Sequence, residues 1–164
     1  MKRKRRSAGA HYEVIFYRPR IRLFRDKQGD FHLAGEPDGF SGIMEGLRSL
    51  HRGLKRTTSV ALVTLPIPPG RNPVGGQGIA RIYSKLVLSI ATKDEAQIEI
   101  RPLDGICWIR LGVSALPKFF LAISEAHDGE GDFSLQVTEG KRLKSVGCNI
   151  WFWGYSNPHG VNTF

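Results

Sequence analysis

Two kinds of spacing alternate along the chain. Over 114–128 the apolar positions Leu116, Phe119, Phe120 and Ile123 recur at steps of three and four, and His127 closes the series. That is the periodicity of a helix burying one face. Lys118, Ala122 and Glu125 fall on its other side, Ser114 stands at the N-cap position, and Pro117 lies in the first turn, where a missing N–H removes no intrahelical bond. A second stripe, Ile43, Leu47, Leu50 and Leu54, predicts a helix over 41–55 with Glu45, Arg48, Arg52 and Lys55 toward water and Met44 and His51 at its margins. Gly42, Gly46 and Gly53 interrupt it. Each costs up to about 1 kcal/mol relative to alanine, so this helix draws its stability from packing.

The rest of the chain alternates or runs apolar, as strands do. Tyr12 to Phe24 reads as a strand interrupted at Pro19, which cannot donate to a ladder and so marks an edge or a bulge. Asp26 to Asp30 is turn chemistry, and Phe31-His32-Leu33 is the returning strand. Further strands are predicted over 59–65, 79–91, 97–103, 106–113, 132–138 and 145–153. In the last, Trp151 and Trp153 share one face and Cys148, Ile150 and Phe152 the other. Asp104-Gly105 between alternating segments is a strong hairpin signal, and the Pro- and Gly-rich stretch 66–78 is the one long loop.

This order predicts an α+β fold, a mainly antiparallel sheet of seven to nine strands with both amphipathic helices on one face. Two strand-strand-helix-strand units are one reading of the order, aligning Ser41 with Ser114, Ile43 with Leu116, Leu47 with Phe120 and Leu50 with Ile123. The other reading is that any two hairpin-plus-helix segments match to this extent. Residues 11–153 form a single domain, between a basic arm over 1–10 and an irregular tail over 154–164.

Composition narrows the class. With 41% hydrophobic residues the chain has enough apolar side chain for a substantial core. Lys and Arg number 24 against 15 Asp and Glu, a net charge of +9 that favours acidic partners. Lys2, Arg3, Lys4, Arg5 and Arg6 supply much of that surplus, leaving the folded part only mildly basic. The two cysteines lie in apolar runs and build no disulfide framework, which points to a reducing, cytoplasmic setting. There is neither a signal-peptide core after the basic start nor an uncharged apolar run of about 18 residues, so no membrane span is expected.

Candidate chemistry is sparse. His11, His32, His51, His127 and His159 make no zinc-ligand spacing, and no metal or cofactor is expected. Cys107 keeps company with Ile109 and Leu111, and Cys148 with Val146 and Ile150, the surroundings of packed thiols rather than nucleophiles. No G-x-S-x-G elbow occurs, and Gly70 to Gly78 lacks the Gly-Lys-Ser/Thr ending of a phosphate loop. The aspartates fall at turns, where they serve the backbone. The chain therefore reads as a protein that binds and does not catalyse. Trp151, Trp153 and Tyr155 crowd the last strand, and such rings anchor protein interfaces. The alternative is a nucleic-acid surface made of Lys2, Arg3, Lys4, Arg5 and Arg6 with Arg48, Arg52, Lys55 and Arg56.

Gly131-Asp132-Phe133-Ser134 after an amphipathic helix, then a basic turn and Ile150-Trp151-Phe152-Trp153, resembles the ending of a class of short bacterial α+β proteins with no assigned activity. Some similar small α+β proteins serve as immunity proteins that mask a toxin. The resemblance covers the last third of the chain. It implies a protein partner, with Phe133, Ser134, Trp151 and Trp153 as framework positions. The basic balance differs from that of immunity proteins capping cationic nucleases, which tend to be acidic.

Overall fold

A computed structural model describes residues 12–14, 21–52, 59–67, 78–91, 96–129, 132–139 and 146–154. The first part of the chain forms β1 (Tyr12–Val14), β2 (Ile21–Asp26), β3 (Phe31–Gly35), α1 (Pro37–Arg52), β4 (Ser59–Val63), β5 (Ile79–Tyr83) and β6 (Lys85–Ile90). The second forms β7 (Ile98–Leu103), β8 (Ile106–Leu111), a 3-10 turn (Val113–Ala115), α2 (Leu116–His127), β9 (Asp132–Glu139) and β10 (Val146–Gly154). The basic arm, the segment around Pro19, most of the 66–78 loop and the tail after Gly154 lie outside the described residues.

Local chemistry accounts for the hairpins. In the β2–β3 turn one oxygen of Asp26 accepts the amides of Gln28 (2.9 Å) and Asp30 (3.0 Å), while Gly29 takes φ +101°. At the β7–β8 turn both Asp104 (φ 48°) and Gly105 (φ 78°) are left-handed, the conformation for which Asp-Gly is suited.

Both helices are present with altered ends. α1 begins at Pro37, before the expected Ser41, because Pro37 fixes a helical φ and the Glu36 carbonyl already accepts the Gly39 and Phe40 amides. Its buried face is Phe40, Ile43, Leu47 and Leu50 together with Gly39, Gly42 and Gly46, so those glycines lie where α1 meets its neighbours. Leu54 and Lys55 fall outside the described residues. In α2, Ala115 takes the N-cap place expected of Ser114, since Ser114 is inside the 3-10 turn closed by Ala115 N–H to Gly112 O. Ala122 is buried rather than solvent-facing, because the stripe runs Leu116, Phe119, Ile123, Ala126 and leaves Phe120 at its margin.

The sheet is mixed, in the order β1-β4-β6-β8-β7-β9-β10-β3-β2-β5. Most of its pairs are antiparallel, but β1–β4, β3–β10, β6–β8 and β7–β9 are parallel. The ten strands among the described residues exceed the expected number because the run predicted over 79–91 bends at Ser84 into β5 and β6. That bend also closes the sheet. β5 ends the order beside β2, yet one residue later the chain is β6, lying between β4 and β8. Thr64 N–H reaches Ser84 O (3.1 Å) and Leu65 N–H reaches Ile21 O (2.8 Å), stitching the segment after β4 to the bend and to β2.

Arg25 on β2 is hydrogen-bonded to Glu139 on β9 although two strands separate them. Along a flat sheet that distance is about 14 Å, which the two side chains would span only fully extended and lying along the sheet, so the contact is better met across a concave interior. One core fills it, joining the stripes of α1 and α2 to Leu23, Leu33, Leu88, Ile100, Ile109, Ile150 and Phe152.

Candidate recognition surface

β10 lies between β9 and β3, with Ile150 and Phe152 turned inward. Phe152 meets Phe119 of α2 edge to face at 5.5 Å, which fixes the strand against the helix. Alternation then puts Trp151 and Trp153 on one shared face, as the sequence predicts, and the inward turn of Ile150 and Phe152 makes it the outer one.

Both indoles are hydrogen-bonded into the sheet. Trp151 Nε1–H donates to Asp30 Oδ2 (3.0 Å), whose other oxygen accepts the Asn149 amide (2.9 Å). Trp153 Nε1–H donates to His32 Nδ1 (3.1 Å). An indole nitrogen can only donate, so Nδ1 accepts and Nε2 carries the proton, giving it to Asp26 Oδ2 at 2.8 Å. Rings stack along the same face: Phe24 on His32 at 4.9 Å, His32 on Trp153 at 6.2 Å, Trp153 on Trp151 at 6.0 Å.

The inner members of this series are sealed, with His32 4% and Asp26 3% exposed. Burial works to raise the Asp26 carboxyl, but hydrogen bonds from His32 and from the Asp30 and Gln28 amides outweigh it and hold the group below its ordinary value. The outer members stay accessible. Trp151 and Trp153 are half-buried, and beside them β9 exposes Ser134, opposite Trp151, and Gln136, opposite Asn149. The result is a pair of fixed aromatic faces bordered by a hydroxyl and an amide. Tyr155 falls outside the described residues.

The basic candidates are divided. Arg48 and Arg52 are exposed on α1 and have no ion-pair partner among the described residues. With His51, Pro117 and Phe120 they border a depression of about 410 Å³ between the helices. Lys2, Arg3, Lys4, Arg5, Arg6, Lys55 and Arg56 fall outside the described residues. The indoles occupy the outer face of the sheet and the arginines the solvent side of a helix on its other face, so the two candidate surfaces are not brought together.

The thiols are packed. Cys107 lies in the core, and burial pushes its thiol well above the ordinary range. Burial, then the nearby Glu139 charge, pushes Cys148 to about 11, leaving little thiolate near neutrality. Arg25 and Glu139 form a two-pronged pair (Nη1 to Oε1, 2.8 Å), with the guanidinium 5.0 Å over Phe31. Tyr83 is fully buried, its hydroxyl has no hydrogen-bond partner among the described residues, and desolvation raises it to about 12. No group of three or more His, Cys, Asp or Glu among the described residues could hold a metal ion, and no helix there is long and apolar enough to cross a membrane.

The indoles were readable from alternation, whereas their supports were not. Asp26 and Asp30 carry an ordinary turn signal, and His32 sits in a three-residue apolar-looking strand. Only the pairing of β3 with β10, which no local pattern announces, brings them under the tryptophans. Neither the protein-family models nor the curated proteins compared with the sequence match it.

Proposed function

We propose that the protein is a small non-catalytic protein-interaction module, of the toxin-immunity type that its last third resembles, which recognises its partner with the outer face of β9 and β10. One observation carries the reading: Trp151 and Trp153 are locked by hydrogen bonds to Asp30 and His32 and stacked on one another, yet remain accessible. Rings already held in place lose little rotamer freedom on association, so their apolar area contributes more fully to affinity. Ser134 and Gln136 supply polar contacts at the border. The free, packed thiols suit a reducing cytoplasmic compartment. A non-catalytic role accords with thiols raised away from thiolate and with a His32 ring whose two nitrogens are both engaged internally.

The test is tagged co-purification from the native host with mass spectrometry, comparing wild type with Trp151→Ala. A stoichiometric protein partner that is lost in the variant, while circular dichroism stays native, supports the reading. A partner retained undiminished by the variant, or none in either sample, overturns it.

A second reading rests on Arg48 and Arg52, exposed cations without an ion pair among the described residues. Under it the protein is nucleic-acid-associated, through that helix and the basic arm. Duplex binding would then weaken steeply with salt, and deleting residues 1–10 or changing both arginines to alanine would flatten the slope. A slope unaffected by either change removes this reading.

A further inference from the structure

Apart from β1 and β5, the described strands and α-helices fall into two halves with the same plan. β2-β3-α1-β4-β6 and β7-β8-α2-β9-β10 are each a hairpin, a helix and two strands. The hairpins are antiparallel in both, and β3 pairs β10 in parallel just as β8 pairs β6. The buried helix positions Phe40, Ile43, Leu47 and Leu50 precede Leu116, Phe119, Ile123 and Ala126 by the same interval that separates His32 from Trp108.

This correspondence can be carried across the outer face residue by residue. Phe24 opposite His32 matches Arg101 opposite Trp108, and Arg22 opposite Ala34 matches Glu99 opposite Arg110. Trp151 opposite His32 matches Val87 opposite Trp108, and Trp153 opposite Ala34 matches Ser89 opposite Arg110. In the first set the place beside His32 is taken by the Trp153 indole. In the second set the corresponding residue is a serine. What lies there is a cleft of about 470 Å³, bordered by Ser89, Glu99, Arg101, Leu103, Trp108 and Arg110.

The cleft has the polarity of a binding site. Trp108 is half-buried, and Leu103 adds apolar surface that is 62% exposed. Glu99 accepts from Arg101 Nε at 2.7 Å and lies 3.8 Å from Arg110, which holds both guanidiniums at the cleft while their side chains remain 45% and 47% exposed. Glu139, also at the cleft, is already engaged by Arg25. Two guanidiniums against one shared carboxylate leave an unbalanced positive charge, which one ligand anion neutralises. The volume suits a single small ring system and is too small for a folded segment of another protein.

We propose that this cleft binds a small aromatic acid, whose ring takes against Trp108 the place that the Trp153 indole takes against His32, and whose carboxylate meets Arg101 and Arg110. This site is separate from the β9–β10 recognition face, and the two stand or fall independently.

Isothermal titration with 1-naphthylacetate tests it, with 1-naphthylacetamide and acetate as comparisons. Wild type binds the acid saturably with one site and a Kd below about 1 mM, while the amide and acetate each bind at least about tenfold more weakly. Arg110→Gln and Trp108→Leu each weaken the acid about tenfold or more, and Lys118→Gln, exposed on α2, leaves it unchanged. Ser89→Trp installs in this half the ring that fills the other, and abolishes binding in a protein that melts no lower than wild type. Should that variant misfold, the exposed Arg110 substitution still decides. Absence of saturable binding, equal affinity for the amide, or affinity that survives both Arg110→Gln and Trp108→Leu overturns the proposal.

Discussion

At the scale of single residues, His32 joins the β2–β3 hairpin to the indoles of β10. Its imidazole has one acceptor, Nδ1, and among the described residues the group on it is the Trp153 N–H. Trp153→Phe keeps an aromatic ring there but leaves that buried acceptor empty, at a cost of about 1–3 kcal/mol. Urea denaturation should register the loss; a change under about 0.3 kcal/mol would show that the bond contributes nothing. Asp26 adds a pH dependence of definite sign. Its carboxyl is held below the ordinary value, so its contribution is complete above that value and is lost as pH falls through the lower, folded one. The stability gap between wild type and Asp26→Asn should therefore be constant from neutrality down to about pH 5 and shrink below about pH 4. A gap that widens in acid would contradict the hydrogen-bond arrangement. The inward positions at this scale, Cys107, Ile109, Ile150 and Phe152, were readable from alternation alone, because each is fixed by its own strand. The roles of Asp26, Asp30 and His32 depend on a strand far along the chain, and neither residue type nor spacing reports that.

At the scale of elements, the close approach of β10 to α2 sets the most restrictive position. Gly154 packs so tightly on the last turn of α2 that a Cβ would overlap the Ala126 carbonyl oxygen. Backbone cannot retreat as a flexible side chain can. Gly154→Ala should cost about 1–3 kcal/mol and lower the melting temperature, whereas Gly147→Ala, with open space around it, should be near neutral. Equal effects of the two would refute the tight packing. Helix stripes and the Asp104-Gly105 hairpin were evident in the sequence, being local signals. The α1 start was not, since a Pro37-Asp38-Gly39 opening imitates a turn until tertiary contacts extend the helix through it. Nor was the break at Ser84, where no Gly or Pro marks a turn, Ser84-Lys85 fits a continuing strand, and only the change of partners from β2 to β4 divides the run.

For the whole molecule, closure of the sheet is the organising event, and Arg25–Glu139 reports on it. Both side chains are largely buried and reach across the interior, so a double-mutant cycle with Arg25→Ala and Glu139→Ala should give a coupling of about 1–2 kcal/mol. The Arg101–Glu99 pair, whose arginine is 45% exposed and which joins neighbouring positions of one strand, should give less than about 0.5 kcal/mol. Similar couplings would indicate an open sheet. The α+β class and the two helices were foreseeable, and so was the repeated order of strand, strand, helix and strand. The match between the halves is offset from the one suggested by placing Ser41 on Ser114. Phe40 corresponds to Leu116, because buried spacing and not the serine sets the alignment. A closed sheet turned around two stripes leaves its outer face free of the helices, and under the proposed function the pinned indoles of β10 on that face are what meets a partner. Site-specific photo-crosslinking in the native host tests this most directly, with the probe placed at exposed Gln136 beside the indoles or at exposed Arg48 on α1. A discrete protein adduct is expected from position 136 and none from position 48. An adduct from position 48 alone, or nucleic acid captured there, would contradict it.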